Sequence, residues 1–209
     1  TISALGHFGD QEIIAGAKQR FADYLKDNTS LAPSLRTAVF RINGRYADRA
    51  TYDQLHELGK KALDTEERRQ FYNAMCGALN PDLAESTLDI VLTDELDPQE
   101  AVGLLDSVAD AGEQPEIAWK FTRTHLKQIL PKVISFNRDN LVPSVMGAFT
   151  DFWRADELVD FVRANISPEA AVKASETATE IRVKATIKKT QMAPINFWVK
   201  DRKSRQQKP

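Results

Sequence analysis

Cysteine is nearly absent: Cys76 is the only one in 209 residues. An internal disulfide is therefore excluded, and a lone thiol fits a reducing, cytoplasmic setting. Histidine is almost as scarce, and His7, His56 and His125 lie too far apart in the chain to suggest a shared metal ion. The one His-Glu pair, His56-Glu57, needs a second histidine at position 60 to place two zinc ligands on one helical face; position 60 is lysine. No stretch approaches 18 consecutive apolar residues, so no membrane span is expected. The nine glycines compose neither a phosphate-cradling loop nor a Gly-x-Ser-x-Gly elbow, and Cys-x-x-Cys is missing. A formal net charge of −2 supplies no field that would recruit nucleic acid or an anionic membrane. Acidic pairs such as Glu66-Glu67 sit at helix starts, where the helix dipole explains them. These absences leave no catalytic constellation, and neither metal nor cofactor is expected in this chain.

What is present is helical periodicity from end to end, with 42% hydrophobic and 28% charged residues, the balance of an ordinary globular chain. Gly6 to Gly9 stops a first short helix. Asp10 caps a second carrying Ile13, Ile14, Ala17, Phe21, Tyr24 and Leu25. Pro33 opens a third with Leu35, Val39 and Ile42 on one face and Asn43-Gly44 as its stop. Asp48 begins another with Tyr52, Leu55, Leu58 and Ala62, and Asp64 with Glu67 forms a capping box ahead of Phe71, Met75, Ala78 and Leu79. Pro81, Pro98 and Pro115 then recur every 17 residues, with Pro131 following 16 later. Proline is tolerated at the first helical position, where its missing N–H would be unsatisfied anyway. Each step reads as one helix plus a short turn, and two steps as an antiparallel hairpin of about 34 residues that must stack on its neighbours.

In the second half, Asn140 precedes Leu141, Val145, Met146, Phe149, Phe152 and Trp153, with Pro143 in the first turn. Asp156, Leu158, Phe161 and Val162 predict a short helix ending near Asn165. Ser167-Pro168-Glu169 starts a long one through about Thr190, whose few large apolar groups (Val172, Ile181, Val183, Ile187) imply packing on one narrow side. Pro194 opens a last short helix holding Ile195, Trp198 and Val199. No linker divides the chain, so residues 1–199 read as a single all-α solenoid domain, followed by a basic tail over 200–209. That tail lacks the interleaved aromatics of a base-stacking surface and reads as a solvated end. Thr1-Ile-Ser-Ala-Leu has neither an initiator methionine nor a signal-peptide pattern, as expected of a cut inside a longer polypeptide.

The helix opened by Pro115 stands out. Ile117, Ala118, Trp119, Phe121, Thr122, His125, Leu126, Ile129 and Leu130 sweep an arc of roughly 220°, twice what a surface helix needs. It is expected to be an inner helix covered on two sides, with His125 as a core residue. Lys120, Arg123 and Lys127 form its basic edge, and Arg41, Arg45 and Arg49 recur at i, i+4. Such stripes are either solvated faces or Arg forks on a solenoid wall facing a carboxylate or acidic peptide.

Gly9-Asp10 before Ile13, Ala17 and Phe21, then Leu35-Arg36-x-x-Val39-Phe40, Tyr52-Asp53-x-Leu55, Glu67-Arg68 leading to Ala78-Leu79, and Ala118-Trp119-x-Phe121-x-Arg123 occur in this order over nearly the whole chain. In this order they resemble the C-terminal helical domain of zinc aminopeptidases of the puromycin-sensitive and endoplasmic-reticulum type. Leu126, Lys184 and Lys188 depart from the family, which often has Trp at the first and Asn and Trp at the others. The resemblance implies a right-handed α-α superhelix of HEAT-like antiparallel helix pairs. It also implies a partner catalytic domain in the same polypeptide, which holds the zinc, and a peptide substrate whose distal part this domain encloses. Arg36, inside a motif, and Arg123, beside the tryptophan, become candidate substrate contacts. A free-standing HEAT-like interaction scaffold is the alternative, and RNA binding through the basic tail a third.

Overall fold

The computed structural model describes residues 1–192 and 194–199. Among these, every regular element is helical, and the chain divides into two compact units, Thr1–Ile134 and the part from Ser135 onward. The basic tail predicted over 200–209 lies outside the described residues.

The first unit holds eight α-helices: α1 Ile2–His7, α2 Gln11–Lys26, α3 Pro33–Arg45, α4 Arg49–Lys61, α5 Thr65–Cys76, α6 Pro81–Asp89, α7 Pro98–Asp110 and α8 Pro115–Ile129. The punctuation acts as expected. Asp10, Asp48, Asp64, Asn80 and Asp97 each accept a backbone N–H in the first turn they cap, and prolines open α3, α6, α7 and α8. Pro131 instead falls in a 3-10 turn, Leu130–Lys132. The Asp64 box is half made: its carboxylate receives the Glu67 N–H at 2.8 Å, while the Glu67 carboxylate turns to Tyr24 and Arg36.

Alternate helices stack. α3 packs on α1 and on α5, and α5 packs on α7, forming one layer; α2, α4, α6 and α8 pair with members of that layer. Glycines set the spacing. Gly44 does not stop α3 as predicted: the helix runs on to Arg45, and Gly44 lies so close to α5 that a Cβ there would overlap the Ala74 carbonyl. A Cβ at Gly112, just past α7, would stand 2.5 Å from the Cys76 carbonyl oxygen, again at the α5 crossing. The core beneath is aromatic: Phe40 lies 4.7 Å from Phe71 and 5.1 Å from Tyr24, ring centre to ring centre.

Helix α8 packs on α6 and α7 through Ala118, Trp119, Thr122, Leu126 and Ile129, all buried. Its wide apolar arc has a local cause. The backbone leaves helical geometry at His125 (φ −106°, ψ 15°), and Ile117, Phe121 and His125 form a half-buried flank. His125 is therefore not a core residue: its ring rests 4.6 Å from that of Phe121, with Nδ1 3.1 Å from Gln128 Oε1.

In the second unit α9 spans Arg138–Met146, α10 Phe152–Asn165, α11 Pro168–Ile187, and α12 residues 194–199. Two boundaries differ from the sequence reading. Helix α9 starts before Asn140, so Pro143 is interior, and it ends at Gly147; Phe152 and Trp153 belong to the exposed first turn of α10. Ser167 caps α11 as predicted, accepting the Ala170 N–H at 3.0 Å. The packing face of α11 is mostly alanine: Ala170, Ala171, Ala174, Ala178, Ile181 and Ala185 are buried, and it is pressed closely on α10. Val172, Val183 and Ile187, expected to make that contact, point outward. Small side chains let two helix backbones approach, so the narrow side is made by absence of bulk. Arg154, buried at the α10 start, sits 4.3 Å from the Phe149 ring and 3.8 Å from the Trp153 ring, with Glu157 at 2.5 Å.

Candidate functional site

One face of the α1/α3/α5/α7 layer carries two adjoining cavities. The larger, about 590 Å³, is lined among others by Ser3, His7, Arg41, Arg45, Asn73 and Asp110. The smaller, about 300 Å³, lies between α5 and α7 and includes Arg69, Tyr72, Asn73, Gln99 and Asp106. Asn73 and Ser107 line both, so the two read as one groove across the layer. Helical spacing builds it. Arg41 and Arg45 stand one turn apart on α3, as do Arg69 and Asn73 on α5, while α7 offers Gln99, Gly103, Asp106, Ser107 and Asp110 on one stripe.

Arg45 ties the large cavity together. Its Nη2 donates to Glu113 Oε1 at 2.7 Å, with His7 Nε2 3.6 Å from the same oxygen. Glu113 holds this position at φ +56°, a left-handed backbone uncommon for a residue with a side chain. Arg45 Nε and Nη1 are buried without a hydrogen-bond partner. A buried donor left unpaired costs about 1–3 kcal/mol, so these N–H groups are a standing demand for an acceptor. The predicted Arg41-Arg45-Arg49 stripe does not survive as one face, because α3 ends at Arg45 and Arg49 begins α4, where it bonds Ser86 and Asp53.

Arg36 and Arg123 sit elsewhere and are not brought together: α3 packs on α1, α2, α4 and α5, whereas α8 packs on α6 and α7. Arg36 donates to the carbonyls of Leu31 and Asn28, faces Glu67 at 3.5 Å and stacks 5.5 Å from the Tyr24 ring, pinning the turn before α3 to α5. Arg123 is exposed, 5.8 Å from the Trp119 ring. Cys76 is fully buried, and burial, with Asp106 adding like charge, pushes its thiol up to about 12. It is an inert packing group. No group of three or more His, Cys, Asp or Glu able to hold a metal occurs among the described residues.

A second polar cluster is structural. His56 Nε2 and Tyr72 OH meet the same Glu95 oxygen at 2.5 and 2.7 Å, with Lys60 at 4.0 Å from the other. Burial pushes the Glu95 carboxyl up, but these hydrogen bonds and the charges of His56 and Lys60 leave it below its ordinary 4.5. A depressed carboxyl contributes stability above its ordinary value and loses it as pH falls through its folded value. The cost of Tyr72→Phe in urea unfolding should thus be largest near neutrality and shrink in acid; a cost independent of pH would contradict this account.

A family model described as the ERAP1-like C-terminal domain matches residues 1–182. The chain belongs to this family. The domain is 24% identical over 190 residues to aminopeptidase M1 of Arabidopsis thaliana, covering 88% of this chain and 21% of the plant protein. It is 24% identical over 188 residues to aminopeptidase M1-B of Oryza sativa subsp. japonica, with 87% and 21% covered. To the puromycin-sensitive aminopeptidase of Caenorhabditis elegans it is 26% identical over 129 residues, 61% of this chain and 14% of the worm protein. The ERAP1-like domain here thus spans about a fifth of the length of the two plant relatives. Asn73, Arg69, Asp106 and Ser107 escaped the sequence reading, although Gln99, Asp106, Ser107 and Asp110 at i, i+7, i+8 and i+11 mark one polar stripe of α7.

Proposed function

We propose that this domain is the non-catalytic C-terminal part of a zinc aminopeptidase, enclosing the substrate cavity and contacting the distal part of the peptide. The observation that carries this reading is the groove shared by four stacked helices, two of which present arginines to it. Helices pack about 9 Å apart, so four in a row span roughly 27 Å, the reach of about eight extended residues. The zinc and the hydrolytic groups belong to a catalytic domain of the same polypeptide; no cluster among the described residues of this chain fits the metal. The family match over residues 1–182 runs through both compact units. No described helix is long and apolar enough to cross a membrane, and the single buried thiol suits a cytoplasmic setting.

The pure chain should release nothing from aminoacyl-anilides yet bind blocked peptides, with affinity rising up to about eight residues and levelling beyond. Arg41→Ala and Arg45→Ala should weaken long peptides more than dipeptides. Arg36 and Arg123 stay in this reading as further contacts, and the same comparison of lengths tests them. Fluorescence anisotropy with peptides of graded length measures all four. Chelator-sensitive hydrolysis by the chain would sink the proposal, and no binding at any length would sink it in favour of an interaction scaffold.

A further inference from the structure

We propose that the carboxyl end of the second unit is a docking surface for an anionic lipid membrane, which α12 enters with its apolar residues while the lysines and arginines around it meet the headgroups. The inference goes beyond the peptide-binding reading and does not depend on it.

Apolar groups crowd this end. Ile187, Met192, Ile195, Phe197, Trp198 and Val199 are 37–76% exposed. They are six of the 18 large hydrophobic residues exposed among those described, and they fall within 13 positions. That is a patch, not the scattered single residues that a surface tolerates. On α12, Ile195, Trp198 and Val199 share one side at i, i+3 and i+4. The preceding helix gives them no cover: α11 spends its packing face of alanines and Ile181 on α10, with Ile187 pointing outward.

Positive charge gathers at the same end, and the chain's net −2 conceals it. The 26 residues from Lys184 to Pro209 hold eight lysines and arginines and one acid, Asp201, a net +7, so the 183 residues before them carry −9. Of the described cations in this stretch, Lys188 meets Asp151 at 3.0 Å, Lys184 donates to the Gly147 carbonyl, and Lys189 is exposed and makes no ion pair.

The two features together select the partner. A short helix with Trp and Phe among its apolar groups, flanked by Lys and Arg, lies in the plane of a bilayer interface with its apolar side in the acyl boundary. Each cation at an anionic surface is worth about 1 kcal/mol, about fivefold in affinity, and salt screens the acidic remainder of the chain beyond about 8 Å. Single-stranded nucleic acid also takes cations and rings, but Ile187, Met192, Ile195 and Val199 offer a base nothing to stack on. Lysine, six of the eight cations, is depleted from protein–protein interfaces.

Co-sedimentation of the chain with lipid vesicles is the test. The chain should pellet with vesicles of three parts phosphatidylcholine to one of phosphatidylserine, stay in solution with phosphatidylcholine alone, and be released by about 0.5 M salt. Deleting residues 200–209, which removes a net +4, should weaken binding on the order of a hundredfold. Phe197→Ala combined with Trp198→Ala should weaken it about tenfold with every charge in place, a loss that charge attraction alone does not produce. Both changes lie outside the buried core, so circular dichroism should report an unaltered fold. Failure to pellet with the anionic vesicles would overturn the proposal, as would binding that the Phe197 and Trp198 substitutions leave unchanged. Release of the vesicle-bound chain by equimolar polyuridylate would overturn it too, and would assign this end to nucleic acid.

Discussion

Gly44→Ala is expected to destabilise the first unit by about 3 kcal/mol, the upper end of the usual cost of overpacking a core. The added methyl group meets the Ala74 carbonyl, which is backbone inside α5 and cannot rotate aside. The two helices must separate, and the Asn43 amide beside it, buried and donating to the carbonyls of Ala17 and Val39, would be disturbed with them. Gly16→Ala is the matched control. Gly16 is exposed within α2, and a Cβ there touches nothing within 4 Å, so alanine should stabilise by roughly 0.5–1 kcal/mol through helix propensity alone. Urea unfolding followed by circular dichroism separates the two outcomes. Equal small effects at the two positions would show that α3 and α5 do not touch as described.

Trp119→Ala should cost about 3–5 kcal/mol, the range for emptying a large aromatic site. Trp119 is 1% exposed and the bulkiest of the fully buried side chains, wedged where α8 meets its neighbours α6 and α7. Trp119→Phe keeps part of the volume and should cost less. Arg123→Ala takes a cation from beside the ring, a contact worth about 0.5–1 kcal/mol, so its smaller cost should set charge apart from packing at this helix. A loss below about 1 kcal/mol for Trp119→Ala would mean that α8 is not seated by this residue.

The fold was legible wherever one residue acts on its own backbone. Asp10, Asp48, Asp64 and Ser167 cap the helices they were expected to cap, and the prolines at 81, 98 and 115 open theirs, because caps and first-turn prolines are local devices. Features decided by a distant partner were not legible. Gly44 looks like a helix stop until α5 is laid against it. The alanines of α11 look like a weak face until α10 shows that smallness is what the contact needs. His125 looks central on an ideal helical wheel, and the wheel is broken at His125 itself. The family could be read from motif order, but the groove could not. Arg36 and Arg123 were favoured for their place in motifs, whereas Arg41, Arg45, Asn73 and Asp106 share the groove through the stacking of alternate helices, a relation with no signature in adjacent residues.

The central claim is that peptide lies across the α1/α3/α5/α7 face. Photo-cross-linking tests it most directly, using a blocked peptide of about eight residues with benzoylphenylalanine at its carboxyl end and mass spectrometry to locate the adducts. Adducts are predicted on groove residues of α3, α5 and α7, near Arg41, Asn73 and Ser107, and should be lost on competition with unlabelled peptide. Competable adducts confined to α2 or α4, on the far side of the layer, would contradict the account.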